Sequence, residues 1–139
     1  MLTKDIASYL DGLGLGTYSE TPTTSNNIFD RVVDTPDTML AVILRPGRQS
    51  PGYDNLEESS VQIIVRGEAD DSSDAEQLAQ DVYNALHGFR HGEFVAGGDY
   101  ILRVLSPQGG PTNIGPDEND RMMYSLNFNV TWRNSGREV

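Results

Sequence analysis

The chain has 139 residues, 21 of them acidic and 10 basic, a net charge of −11, and no cysteine. Its length suits one domain, 1–139, able to bury about two-thirds of its unfolded surface. The missing cysteines exclude disulfides and thiolate metal sites, and the acidic balance argues against direct binding of nucleic-acid phosphates, which takes Lys and Arg to displace counterions.

Two readings of the charge stand side by side: ordinary solubility, and a surface that must lie near nucleic acid without adhering to it. Of the ten basic residues, Lys4 alone is Lys. Arg suits interfaces because its planar fork binds carboxylates bidentately, although codon bias in a GC-rich genome gives the same skew. The opening MLTKDIASYL lacks the apolar run of a secretion signal. The longest apolar run, 39–44, is far too short to span a membrane, so a cytoplasmic protein with no membrane partner is expected.

Thr3 is placed to cap a first helix in which Ile6, Leu10 and Leu13 share one face. Gly12, Gly14 and Gly16 close it. Residues 19–27 form a polar connector, and 28–33 suit a short edge strand. In VDTPDT, Pro36 fixes φ and both aspartates can bond nearby backbone, which predicts a turn. Residues 38–44, TMLAVIL, are apolar on both parities. That predicts an interior strand buried on both faces, by the sheet's own helices or by another subunit.

Residues 45–60 carry prolines and glycines without periodicity and read as a loop of about sixteen residues, long enough to suggest function or disorder. Arg45, Arg48 and Tyr53 are its candidate contact residues. Residues 61–66 are the next strand, with Val61, Ile63 and Val65 toward the core and a hairpin to 38–44. Ser73 and Glu76 have the spacing of a capping box, and Asp74 and Glu76 complement the helix dipole. Ala75, Leu78, Ala79, Val82 and Leu86 then form one buried stripe, stopped by Gly88.

Residues 93–96 suit a short strand, and 99–106 a longer one with Tyr100, Leu102 and Val104 on one face. Residues 107–120 read as a second long loop, of about fourteen residues. Along Arg121–Arg133, the apolar Met122, Tyr124, Leu126, Phe128, Val130 and Trp132 alternate with polar residues and Met123, the pattern of a strand with one face on a core. At about 3.3 Å per residue it spans roughly 43 Å, against a usual strand of about 5–6 residues. Such a strand either projects beyond its domain or is covered by a neighbour. Residues 134–139 read as a free tail.

The expected fold is α+β, in the order α-β-β-α-β-β: a mixed four- to five-stranded sheet with two helices packed on one face. The polar parity of 121–133 occupies the other face. If strands 61–66 and 99–106 are parallel neighbours, their crossover is right-handed.

No catalytic constellation accompanies this fold, and a non-enzymatic protein without cofactor or metal is expected. His87 and His91 are four apart, but Gly88 breaks the helix between them. Asp117, Glu118 and Asp120 resemble the start of a calcium loop, yet Met122 stands where its glycine belongs and Phe128 where the closing glutamate belongs. The glycines at 12, 14 and 16 follow a helix instead of opening one, which excludes a dinucleotide turn.

Several stretches together resemble the tail-terminator (tail-completion, minor capsid) proteins of long-tailed double-stranded DNA bacteriophages. They are the DTPD turn before an apolar strand, the Pro/Gly loop, VQIIVRG, and the capped helix ending Leu86-His87-Gly88. The resemblance runs over roughly residues 2–133. It implies a homo-oligomeric ring, typically a hexamer, at the head-proximal end of the tail. The ring would stop tail-tube polymerisation and meet both the tail-tube protein and the head–tail connector. DNA would pass through it without specific binding, aided by acidic charge. By analogy with that fold, Arg45, Arg48, Tyr53, Asn113, Asp117, Glu118 and Arg121 are expected at contacts. Asn127 and Asn129 join them from the polar parity of the long strand. The alternatives are a tail-tube or head–tail neck subunit, and a small cytoplasmic ligand-binding domain.

Overall fold

The computed structural model describes residues 2–21, 25–45, 47, 56–69 and 72–133. The elements run α1 (Leu2–Gly12), β1 (Ile28–Phe29), β2 (Met39–Arg45), β3 (Leu56–Ala69), α2 (Ser72–Leu86), β4 (Arg90–Glu93), β5 (Tyr100–Leu105), β6 (Thr112–Pro116) and β7 (Arg121–Arg133). The seven strands form one sheet in the order β1-β2-β3-β7-β5-β4, with β6 also paired to β7. The β1–β2 pair is parallel and the other described pairs are antiparallel.

β7 is the centre of this sheet. Along one edge it pairs with β3 over its whole length, from Arg121 opposite Ala69 to Arg133 opposite Leu56. Along the other edge β5 takes Asn129–Arg133 and β6 takes Met122–Ser125. The strand's length is therefore covered inside the subunit.

Strict alternation decides what each face does. Val61, Ile63 and Val65 of β3 and Tyr124, Leu126, Phe128 and Val130 of β7 point to one side. There they meet Leu2, Ile6, Ala7 and Leu10 of α1 and Ala75, Ala79, Val82 and Leu86 of α2 in one cluster. Burying each of the larger side chains contributes about 1.5–3 kcal/mol. Trp132 is half-buried at the margin of this cluster, its Nε1 donating to Ser59 Oγ at 2.9 Å.

Local signals explain the helices. α1 ends at Gly14, whose φ of +79° suits glycine. Leu15 N donates to Leu10 O at 3.0 Å and Gly14 N to Asp11 O at 2.9 Å, the paired bonds of a Schellman ending. α2 begins at Ser72, so Ser73, expected to cap it, lies at its start.

Seven other expectations are corrected. The sheet has seven strands, not four or five. Strands 61–66 and 99–106 are not neighbours, because β7 lies between β3 and β5. The expected strand at 28–33 is two residues long, and that at 93–96 falls at Arg90–Glu93. Residues 56–60 of the expected 45–60 loop belong to β3, and 112–116 of the expected 107–120 loop form β6. In β5 a register shift between Ile101 and Arg103 breaks the period of two. Ile101 and Val104 therefore face the core; of the expected Tyr100, Leu102 and Val104, Val104 alone does so. Residues 134–139 lie outside the described residues.

β2 is buried on both sides, as its double apolar parity requires, but not by two helical layers. Leu40 and Val42 join the helix-side core, while Met39 and Ala41 join Ile64 in a small second cluster with Phe29, Val33, Ile43 and Met123. No described helix is long and apolar enough to cross a membrane.

Candidate functional site

The face of the sheet opposite the helices divides into a pinned end and an open expanse. At the pinned end two arginines are almost fully buried, Arg66 at 2% and Arg121 at 4% exposure. Arg66 sits on β3 and Arg121 begins β7. Both reach the turn at residues 34–37, which contains a cis Thr35–Pro36 bond. Arg66 donates from Nε to Asp37 O at 2.9 Å, and from Nη2 to Pro36 O at 2.8 Å and Asp34 O at 3.2 Å. Arg121 donates from Nη1 to Asp34 O at 2.6 Å and Asp37 Oδ1 at 2.9 Å, and from Nη2 to Asp34 Oδ1 at 3.2 Å.

Asp117 completes this cluster. Its Oδ2 accepts from Arg121 Nε at 2.8 Å, while Oδ1 accepts the backbone N–H groups of Asn119 and Arg121. Partial burial pushes its carboxyl upward. The side-chain and backbone hydrogen bonds of Arg121, with that of Asn119, outweigh this and hold it down at about 2. The bond from Asp117 in turn raises Arg121 above its ordinary value, against its own burial. Burial and the neighbouring Arg121 charge lower Arg66, while its nearby aspartates oppose them.

The cluster is thus a clamp. Two buried guanidinium forks bond the backbone carbonyls of an exposed turn and pin it to the sheet. It lies next to the second apolar cluster, formed around Met39, Ala41 and Ile64.

The open expanse is polar. Arg45 donates from Nε and Nη2 to Gln62 Oε1 at 3.0 and 2.6 Å, and Gln62 Nε2 donates to Ser125 Oγ at 3.0 Å. The chain of bonds crosses β2, β3 and β7. Asn127 Nδ2 donates to Gln108 Oε1 at 2.9 Å, and Asn129 is exposed beyond it. Register places Arg103 on this face beside Thr131, and Arg90 opposite Arg103. Arg133 closes the strand with its guanidinium 5.7 Å from the Tyr100 ring centre.

The expected contact residues separate accordingly. Arg45, Asn127 and Asn129 share the open face. Arg121 and Asp117 are committed to the internal clamp. Asn113 lies on β6, where its Oδ1 accepts from Gly115 N at 2.8 Å. Glu118 is exposed in the turn between β6 and β7. Arg48 and Tyr53 lie outside the described residues.

Sequence reasoning missed Arg66, Asp34 and Asp37 as parts of one constellation, and Arg90 and Arg103 as surface residues. For Arg66 a signal existed: a charged residue in an otherwise apolar run, VQIIVRG. Arg103 was obscured by the β5 register shift.

Other chemistry finds little support. His87 stacks on Tyr83, and its Nδ1 accepts from Ser106 N at 3.0 Å. His91 lies in β4. Among the described residues no three His, Asp or Glu side chains are grouped to hold a metal ion. A groove of about 330 Å³ between α1 and β1 is lined by Lys4, Tyr18, Glu20, Asp30 and Phe29, among others. Burial, Glu20 and Asp30 raise the Tyr18 hydroxyl above its ordinary value.

This fold has a counterpart among solved structures. A chain from the "Virion of native gene transfer agent (GTA) particle" superposes with a TM-score of 0.67, covering 96% of this chain and 95% of that one at 15% identity. The protein belongs to the bacteriophage tail terminator protein family, whose sequence model matches residues 9–134. No curated protein matches it.

Proposed function

We propose that this is a non-enzymatic virion protein that forms a closed ring at the head-proximal end of a phage tail. The ring stops polymerisation of the tail tube and joins the tail to the head connector. It assembles in the host cytoplasm before entering the virion. Family membership supports the tail role.

The observation that carries the ring is the two-sided sheet. Both helices bury their apolar stripes on one face. The other face carries the polar strip Asn127, Asn129 and Thr131 beside Arg45 and Arg103, with no described helix over it. A ring closes through a heterologous contact, in which one surface of each copy meets a different surface of the next. Unlike faces on one small subunit suit that arrangement. The net charge of −11 suits DNA transit, because an acidic wall repels phosphates.

Negative-stain microscopy of the purified protein, with and without polymerising tube protein, tests the proposal. Discrete rings, and tubes capped at a defined length, are expected. A protein that stays monomeric and leaves tube length unchanged would reject it. Long tubes of this chain alone would make it a tube subunit.

A further inference from the structure

Resting on the ring reading, we infer which two surfaces meet: the open arginine face of one copy packs against the outer face of α2 of the next. The starting point is an unresolved repulsion. Arg90 and Arg103 stand directly opposite each other on β4 and β5. Both are exposed, and neither side chain makes an ion pair or hydrogen bond among the described residues. Like charges opposite one another in a sheet are destabilising. The chain has 21 acidic residues, yet none is ion-paired to this arginine couple within the described subunit. The arrangement calls for carboxylates from outside.

The open part of the face has the same sign: among its described residues Arg45, Arg90, Arg103 and Arg133 stand against Glu58 and Glu93, so four minus two leaves a net +2 in a protein of net −11. α2 is the opposite. SSDAEQLAQDVYNAL contains three acids, Asp74, Glu76 and Asp81, and no base. Ala75, Ala79, Val82 and Leu86 face the core, which turns the charged and amide side chains outward. Gln77 bonds Asp81, and Gln80 bonds Asn84, along this surface.

The sizes agree as well. α2 is about 22 Å long at 1.5 Å per residue. The open face spans the four strand spacings from β2 to β4, roughly 19 Å. Because α2 and the open face lie on opposite sides of the sheet, pairing them is head-to-tail, the contact that closes rings. The occupant of the arginine face is therefore a second copy of this chain, recognised by carboxylates on an amide-rich helix.

Complementary charge reversal tests this on the full chain. The face variant is Arg90→Glu with Arg103→Glu, and the helix variant is Glu76→Arg with Asp81→Arg. Each alone is expected to weaken self-association about a hundredfold by sedimentation. Circular dichroism should show each monomer folded. Mixed in equal amounts they should assemble again, because an alternating ring places every reversed face on a reversed helix.

Wild-type rings with both variants assembling normally, or a mixture that stays dissociated, would overturn this inference alone. A wild type that never assembles would overturn the ring reading and this contact with it. A short DNA duplex supplies the remaining arm. A face variant that assembles normally but loses DNA binding would show that the arginines face nucleic acid, and would also overturn the contact.

Discussion

Arg66 and Arg121 enter from adjacent strands and share one acceptor, the carbonyl oxygen of Asp34, at 3.2 and 2.6 Å. Two buried cations converge because the 34–37 turn offers three carbonyls and two carboxylates within reach of their forks. The arrangement joins a turn before β2, the end of β3 and the start of β7.

Removing Arg121 should therefore destabilise the fold from a position far from the main core. Arg121→Ala deletes charge-assisted bonds to Asp34, Asp37 and Asp117 and leaves the Asp34 carbonyl with Arg66 as its remaining donor. A loss of about 2–3 kcal/mol is expected in urea denaturation. Arg121→Lys should restore little of it, because an ammonium cannot span the bidentate geometry. Near-wild-type stability in either variant would show that the clamp is decorative.

Asp117 gives this clamp a pH dependence. Its folded-state value of about 2 lies below its ordinary 3.8, so its stabilisation is fully present above about pH 4 and is lost as pH falls through 2. The urea midpoint of the wild type should fall across that window. Asp117→Asn should start lower at neutral pH and show a shallower fall. Parallel curves for the two proteins would locate acid sensitivity elsewhere.

These polar contacts were the least legible part of the molecule. β7 and α2 could be read directly, because Tyr124–Trp132 alternate without a break and Ala75–Leu86 hold one stripe. β6 could not, since Gly115 and Pro116 look like loop until β7 supplies the pairing partner. The start of β3, LEESS, has no apolar alternation and is a strand because β7 lies alongside it. The insertion of β7 between β3 and β5 is a pairing across many tens of residues, which local patterns do not encode. In the same way, the DTPD turn was visible as a turn, but the arginines that hold it come from strands that meet only in the folded chain.

The helix-side core should be more sensitive than the clamp. Phe128 is 1% exposed at the centre of β7 and lies beside Tyr83 of α2. Phe128→Ala should cost about 3–5 kcal/mol, the transfer term plus an unfilled cavity, measured as a lowered denaturation midpoint. A loss below about 1 kcal/mol would mean the helices collapse onto the space.

Asn127 and Asn129 separate assembly from folding. Replacing both with Asp puts new negative charge on the open face without touching the helix-side core. The monomer's melting temperature should move by only a few degrees, while self-association weakens about tenfold or more. Intact oligomers in sedimentation would place the contact on another surface.

The position of β7 in the sheet also bears on how a subunit is made. Every strand it pairs with precedes it in the chain, so during synthesis β3, β5 and β6 emerge with their shared neighbour still missing. Until residues 121–133 leave the ribosome, the sheet has a slot with two unsatisfied edges, the kind of edge that recruits other chains. Insertion of β7 fills the slot and completes Arg121's grip on the 34–37 turn in the same event.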